Sequence, residues 1–144
     1  METNRRISIY TESDGKSPVF EFIRRLDQKL QKKIESQLKQ LQNPLFELQP
    51  PHVKAFRQSK HKGFYELRTR IRQAVRIIFI LGDSGEIILL HGFIKNGNRA
   101  TERALEAARA KRYALASDSA TTKEFIFSSM EEHKNYEEKD STYN

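Results

Sequence analysis

The spacing of apolar residues changes along the first third of the chain. Ile7 and Ile9 alternate with polar neighbours in residues 5–10, which predicts a short β-strand at the start. Further on, apolar residues recur every three or four positions, with basic residues between them: Val19, Phe22, Ile23, Leu26, Leu30, Ile34, Leu38 and Leu41. This spacing is typical of an amphipathic helix with one buried face.

Capping residues divide the helical region in two. Ser17 before Pro18 is typical of a helix start, because serine can cap free N–H groups and proline has no N–H to satisfy there. Asp27 can cap a second start within the periodic region, and Asn43 with Pro44 favours an end. The sequence therefore predicts a pair of helices and not a single long one.

The middle of the chain is predicted to form a sheet. Residues 45–63 have no regular period and are predicted to be a loop. Three segments rich in strand-forming residues follow, at about 64–70, 74–82 and 86–95. The links between them are short, and residues 82–85 are typical of a hairpin turn, so these neighbouring strands should be antiparallel.

A last helix from Thr101 to about Leu115 completes the order β-α-α-β-β-β-α. This order predicts an α+β fold, in which two N-terminal helices pack on one face of an antiparallel sheet and a C-terminal helix follows. We assign residues 1–117 to one folded domain. Residues 118–144 are predicted to be an acidic, poorly ordered and flexible C-terminal tail.

Composition limits the class of protein. The 144 residues are 37% hydrophobic with a mean hydropathy of −0.75, and the absence of cysteine excludes disulfides and thiolate metal sites. No stretch approaches the roughly 18–20 apolar residues of a membrane span. The first residues also lack the apolar segment of a signal peptide. We therefore expect a cytoplasmic protein with no membrane partner.

The charge is unevenly distributed. The chain carries +7, of which residues 118–144 contribute −4 and residues 1–117 contribute +11. A domain this basic should bind polyanions at least non-specifically. The four histidines are scattered and no motif such as H-E-x-x-H occurs, so we expect neither a metal site nor a cofactor.

Several cations are predicted to share one face of the sheet. Because side chains alternate along a strand, the first of the three strands places four residues on one face: Phe64, Glu66, Arg68 and Arg70. A short link that pairs Arg70 with Ala74 would put Arg68 beside Arg76.

The last of these strands adds to the same face. Alternation groups Ile87, Leu89, His91, Phe93 and Lys95. A tight turn that pairs Leu81 with Glu86 would place Arg76 opposite His91. The sequence therefore predicts a cluster of Arg68, Arg76 and His91 with Lys95 at its rim.

Two interpretations of this cluster remain open. Glu66 and Glu86 could pair with two of the arginines and leave His91 isolated in its strand. Alternatively, the face is open and meets a polyanion, because burying cations without anions is costly. RNA supplies its own nucleophile, the ribose 2′-hydroxyl, so cleaving it requires only groups that move protons and cations that stabilise the phosphate charge. The same cations would also serve simple RNA binding.

The segments GFYELRTRIRQAVRIIFIL and GEIILLHGFIK are similar to those of a known toxin family. Over about residues 4–115, the chain resembles the phage-related HigB branch of the RelE/ParE superfamily of type II toxins. The resemblance implies a RelE-like fold and a ribosome-dependent mRNA endonuclease that needs no metal. It also implies a cognate antitoxin, a helix-turn-helix protein similar to HigA, through which alone the toxin would contact DNA.

The resemblance also implies roles for individual residues. Arg68 matches the arginine that contacts the scissile phosphate, and Lys54 matches the loop whose lysines bind RNA and transfer protons. His91 matches the strand histidine of HigB-type toxins, and Lys95 the basic position after it. We expect these four to be catalytic, with further RNA contacts from Lys60, Lys62, Arg70 and Arg76.

Two other functions compete with mRNA cleavage. ParE-type toxins share the fold but inhibit gyrase, and they tend to lack a basic groove. A non-catalytic regulator that binds nucleic acid is the other alternative. The sequence shows no recognisable helix-turn-helix, which weighs against such a regulator.

Overall fold

The computed structural model describes residues 4–127, which form one six-stranded sheet and three helices. The strands are β1 (Ile7–Glu12), β2 (Val53–Ala55), β3 (Tyr65–Ile71), β4 (Gln73–Leu81), β5 (Ile87–Ile94) and β6 (Ala120–Glu124). The helices are α1 (Pro18–Arg25), α2 (Gln28–Gln42) and α3 (Asn98–Ala116), and a short 3-10 helix spans Ser59–His61. The predicted α+β fold is confirmed, and no helix within residues 4–127 is long and apolar enough to cross a membrane.

The N-terminal helical pair begins where the caps predict. Ser17 Oγ accepts a hydrogen bond from Phe20 N at 3.4 Å, and Asp27 Oδ1 accepts one from Leu30 N at 2.9 Å. Gln31 fixes the junction between the helices, since its side-chain amide donates to the carbonyls at the end of α1: those of Ile23, Arg24 and Leu26. Carbonyls in the last turn of a helix lack partners from a following turn, so the amide stabilises both the end of α1 and the angle to α2.

Helices cover both faces of the sheet. The larger hydrophobic core lies between the sheet and the α1–α2 pair, and its largest buried side chains include Ile23, Leu30, Ile34, Leu38, Leu67, Ile77 and Phe79. A smaller core lies under α3 on the opposite face, with Phe64, Ile78, Leu90, Leu105 and Ala108. The two-sided cover explains why β4 and β5 are almost continuously apolar.

Gly92 lets α1 approach the sheet closely. A Cβ atom at this position would lie 2.2 Å from the ring of Phe22, a separation that no packed side chain tolerates. The glycine of the LLHGFIK segment therefore has a structural role: it makes room for Phe22 in the larger core.

The strand order β2-β3-β4-β5-β1-β6 combines two kinds of pairing. The pairs β3–β4 and β4–β5 are antiparallel, as predicted. However, β1 runs parallel to β5, so the sheet is mixed and not wholly antiparallel. A parallel pair needs a long connection and not a hairpin, and here α1, α2 and the strands β2 to β4 lie between β1 and β5 in the sequence.

The predicted register between β4 and β5 is wrong. Arg68 does pair with Arg76, but Arg76 lies opposite Phe93 and not opposite His91, which instead faces Ile78. Two deviations add up to this difference: Leu81 pairs with Ile87 and not with Glu86, and a bulge between Ile78 and Phe79 leaves Leu90 as an extra residue in β5. A bulge adds one residue to a strand, and turn length alone does not reveal it.

The same bulge divides the residues predicted to share one face of β5. Ile87 and Leu89 lie in the larger core, whereas Phe93 packs against the smaller core under α3. Side chains before and after the bulge therefore point to different faces than strict alternation requires.

The folded part of the chain extends beyond residue 117, the predicted end of the domain. Residues 120–124 form β6, which pairs antiparallel with β1 from Ser8–Glu124 to Glu12–Ala120. Phe125 follows and is buried in the larger core, where its ring meets Phe20 edge-on at 6.0 Å. The boundary is corrected accordingly, and the tail predicted beyond residue 127 lies outside the described residues.

Replacing Phe125 by alanine should lower the free energy of unfolding by about 3 kcal/mol, because the change leaves a cavity in the larger core. Chemical denaturation followed by circular dichroism measures this loss. The matched control is Ile126→Ala: Ile126 is 53% exposed, so its loss should stay below about 0.5 kcal/mol. Equal losses for the two variants would show that β6 is not anchored as described.

Candidate nucleic-acid interface

A cavity of about 910 Å³ lies beside α3 at the open end of the sheet. Helix α3 packs mainly on β5 and β6, away from the β2 edge. The segment from residue 48 to residue 61, which includes β2 and the 3-10 helix, forms the facing wall. The cavity is therefore bounded by elements that are far apart in the sequence.

Four of the predicted site residues line this cavity: Lys54, Lys60, Arg68 and Lys95. Each comes from a different element, namely β2, the 3-10 helix, β3 and the segment after β5. Residues 53–55 were predicted to be loop, but Val53–Ala55 pairs with β3 and places Lys54 opposite Glu66. This pairing brings Lys54 to the same region of the sheet as Arg68.

A buried carboxylate organises the arginines. Glu66 is almost fully buried, and its Oε1 accepts a hydrogen bond from Arg68 Nε at 3.2 Å and lies 3.6 Å from Arg76 Nε. Glu66 thus does pair with two arginines, whereas Glu86 accepts a hydrogen bond from Ser8. One negative charge faces two positive ones, so the trio retains a net positive charge.

The two arginines differ in exposure. The side chain of Arg68 is 32% exposed and lines the cavity, whereas that of Arg76 is 14% exposed and donates to the carbonyl of Val75 at 3.1 Å. Burial lowers the pKa of Arg76, Glu66 opposes this effect, and Arg68 and Arg70 reinforce it. A guanidinium nevertheless stays charged in proteins. Arg68 is therefore the member of the pair that a ligand in the cavity can reach.

The structure places His91 away from this cavity. Its Nδ1 lies 3.0 Å from the Nζ of Lys111 on α3, and its ring stacks on Phe93 at 6.3 Å. Burial, reinforced by Lys111, lowers the pKa of His91 to about 4. His91 is therefore neutral near pH 7 and accepts a hydrogen bond from the lysine.

Three more of the predicted site residues do not line the cavity as the described residues form it: Lys62, Arg70 and Arg76. Lys62 and Arg70 are exposed, and their backbone carbonyls accept hydrogen bonds from Arg112 and Lys33. Lys62 and Arg70 remain available to an extended ligand that runs beyond the cavity.

Sequence reasoning missed two parts of the lining. Helix α3 contributes Asn98, Thr101, Glu102, Leu105, Glu106 and Arg109, which recur at the three- and four-residue intervals of one helical face. That spacing was visible in the sequence, but nothing there indicated which element the face would meet. The second part is in the segment before β3, where Arg57 and His61 line the cavity although neither was among the predicted site residues, and His61 is buried.

The arrangement is suited to binding phosphate groups. Lysine ammonium groups act as point charges, and the exposed guanidinium of Arg68 can donate two hydrogen bonds to phosphate oxygens. Within residues 4–127, no group of three or more histidine or acidic side chains could hold a metal ion. A ligand in the cavity would therefore meet several cations, with acidic groups on the α3 wall.

A sequence model of the family described as "Phage derived protein Gp49-like (DUF891)" matches residues 21–113. This match covers more than half of the chain. The chain belongs to the Gp49-like family. The family consists of toxin-like phage-derived proteins and is part of the RelE/HigB-type toxin superfamily, so the resemblance to that superfamily is confirmed. A search of curated proteins finds no match.

The lowered pKa of His91 implies that the free energy of unfolding depends on pH. The unfolded chain binds a proton at His91 near pH 6.5, but the folded chain binds it only near pH 4. Between these values the unfolded state holds more protons, so acidification favours unfolding. Lowering the pH from about 7 to about 4.5 should reduce the free energy of unfolding of the wild type by roughly 2 kcal/mol more than that of His91→Gln, which cannot titrate at this position.

Urea denaturation at both pH values measures this difference. His52→Gln is the matched control, because His52 is exposed, and its loss on acidification should equal that of the wild type. Identical losses for wild type and His91→Gln would contradict the burial of a neutral His91.

Proposed function

We propose that this Gp49-like protein is the toxin of a type II toxin–antitoxin system and cleaves mRNA on the ribosome without a metal ion. The observation that carries the proposal is the convergence of Lys54, Lys60, Arg68 and Lys95 on one cavity. Four cations from four separate elements suit a ligand with closely spaced negative charges, as in the backbone of single-stranded RNA.

The chemistry requires a proton acceptor, a proton donor and cations. The ribose 2′-hydroxyl gives its proton to the acceptor as its oxygen attacks the adjacent phosphorus, the bond to the 5′-oxygen breaks, and the products carry a 2′,3′-cyclic phosphate and a 5′-hydroxyl. Arg68 stabilises the charge that develops on the phosphate oxygens, because Glu66 holds its guanidinium at the cavity wall. The ammonium groups of Lys54 and Lys95 can donate the proton that the leaving oxygen needs.

The other predicted residues take supporting roles in this proposal. Lys60 extends the positive surface within the cavity, and the exposed Lys62 and Arg70 extend it outside. Arg76 contacts the same Glu66 oxygen as Arg68, and it contributes its positive charge from below the cavity surface. A catalytic role for His91 would require Lys111 to release its Nδ1.

The proposed function has defined partners. A nuclease without a strong base exposed in its cavity needs its RNA held in a reactive geometry, which the ribosome's decoding site can provide. We expect a small helix-turn-helix antitoxin similar to HigA to neutralise the toxin. Because translation takes place in the cytoplasm, the protein would act there.

Gyrase inhibition, as by ParE-type toxins, is the alternative function. It needs no cavity lined with cations, so the grouping of Lys54, Arg68 and Lys95 favours RNA cleavage. The two functions differ in their cellular effect, since one destroys mRNA and the other alters DNA supercoiling.

Expression of the wild-type protein should stop bacterial growth, and Arg68→Ala should relieve this arrest. Loss of a group that stabilises transition-state charge costs on the order of 10²-fold in rate. The variant should stay folded, because Arg76 remains beside Glu66. Growth, mRNA integrity and the thermal unfolding of purified protein are the measurements.

Arg25→Ala is the matched control for Arg68→Ala. Arg25 is an exposed arginine at the end of α1, which packs on the opposite face of the sheet. The control should remain as toxic as the wild type. A folded Arg68→Ala protein that still arrests growth would overturn the assignment of the cavity.

Purified protein should cleave mRNA in a programmed ribosome at least about 10²-fold faster than the same mRNA free in solution, because the ribosome supplies the orientation. Primer extension locates and quantifies the cuts. Comparable rates on free RNA would contradict dependence on the ribosome, and relaxed plasmid DNA in treated cells would favour the ParE-type alternative.

A further inference from the structure

His61 is the histidine of the cavity. It ends the 3-10 helix, and its side chain lines the same space as Lys54, Arg68 and Lys95. The residue is only 7% exposed, so it forms part of the wall and does not project into solvent.

The imidazole of His61 is fixed, yet part of its hydrogen-bonding capacity is unused. The backbone N–H donates to the carbonyl of Gln58 at 2.9 Å, and the ring meets that of Phe56 edge-on at 6.4 Å. Its Nδ1 is buried and has no hydrogen-bond partner. Buried polar atoms in proteins are nearly always paired, so the unpaired nitrogen of a residue that lines the cavity leaves this imidazole with hydrogen-bonding capacity for a further partner.

The surroundings of His61 keep the imidazole neutral. Burial lowers its pKa, and the positive charges of Lys60 on its own helix and of Arg109 and Arg112 on α3 lower it further, whereas a hydrogen bond with the backbone of Lys60 opposes these effects. Glu106 lines the same cavity on the α3 side. A neutral imidazole is the form that can take up a proton near pH 7.

The other histidines within residues 4–127 are less suited to this task. The Nδ1 of His91 is bonded to Lys111, and His91 does not line the cavity. His52 is exposed and also lies outside the lining. His61 alone among these three combines a place at the cavity with an unpaired ring nitrogen.

We propose that His61 is the proton acceptor of the RNA-cleavage reaction, an inference that rests on the proposed function. The proton of the attacking 2′-hydroxyl passes to the imidazole as the bond from the 2′-oxygen to phosphorus forms. The bond from phosphorus to the 5′-oxygen breaks, and that oxygen takes a proton from the ammonium group of Lys54 or Lys95. Arg68 stabilises the phosphate oxygens throughout.

The test uses His61→Asn and His61→Gln in single-turnover cleavage of mRNA bound to programmed ribosomes. These amides reproduce the hydrogen-bonding positions of Nδ1 and Nε2, respectively, but neither accepts a proton. Both variants should cleave on the order of 10²-fold more slowly, the loss typical of a missing general base. Binding to the programmed ribosome should change by less than about threefold, because a proton acceptor acts on the rate and not on the affinity.

The pH profile separates proton transfer from a structural role. The wild-type rate should fall at acid pH as the imidazole becomes protonated, below the ordinary histidine range because the pKa of His61 is lowered, and both variants should lack this acid limb. Added imidazole should restore part of the rate to a His61→Ala protein. The matched control is His52→Gln, which should retain the wild-type rate and profile.

Several results would overturn the inference. A rate within tenfold of wild type for either amide variant would show that no proton is transferred to His61. Thermal unfolding identifies any variant that is not folded. If one amide variant is unfolded, the cleavage rate of the folded one tests the inference. If the wild type itself cleaves no ribosome-bound mRNA, the proposed function fails and the role of His61 with it. If the wild type and both variants cleave equally, only the role of His61 fails.

Discussion

The cationic face of this protein depends on one buried carboxylate. Glu66 lies inside the sheet between two arginines on neighbouring strands, and its Oε1 contacts the Nε of each. Without it, Arg68 and Arg76 would face each other as a cross-strand pair of like charges. Such a buried ion pair is not by itself a source of stability, since desolvating the charges offsets their attraction. Its consequence is geometric: Glu66 sets where the guanidinium of Arg68 lies.

Charge balance around Glu66 leaves the folded sheet with a surplus of positive charge. A single carboxylate does not neutralise two guanidinium groups, and Lys54 lies directly opposite Glu66 on the edge strand. The surplus positive charge is exposed where β2 and α3 leave the face uncovered. A phosphate in the cavity would complete the charge balance, whereas an uncharged ligand would not.

The two helical layers have different functions. The α1–α2 pair seals the larger core, and Gly92 allows it to pack closely against β5. Helix α3 covers less of the other face and contributes one wall of the cavity. Its two acidic residues there, Glu102 and Glu106, oppose the cations of the β2 wall. Because Arg109 also lines the α3 side, the cavity carries both signs of charge there and positive charge on the β2 wall, a combination suited to nucleotides, which have both phosphates and hydrogen-bond donors on their bases.

Much of the fold was determined by local sequence. The caps at Ser17 and Asp27 and the pairing of Arg68 with Arg76 follow from short-range chemistry: serine, proline and aspartate at helix starts, and a short link between strands. The resemblance to the toxin superfamily selected Lys54, Arg68 and Lys95 as site candidates, and the structure brings these three to one cavity.

Only the tertiary structure decided the remaining features. A bulge in β5 turned His91 toward Lys111, and together with the pairing of Leu81 with Ile87 it moved Arg76 opposite Phe93. The strand β6 formed because the edge of β1 had unpaired backbone groups and Phe125 could enter the core. His61 lines the cavity only because the 3-10 helix lies near α3 in the folded chain. Each of these outcomes depends on contacts between segments distant in sequence, and the local pattern of apolar and polar residues does not record such contacts.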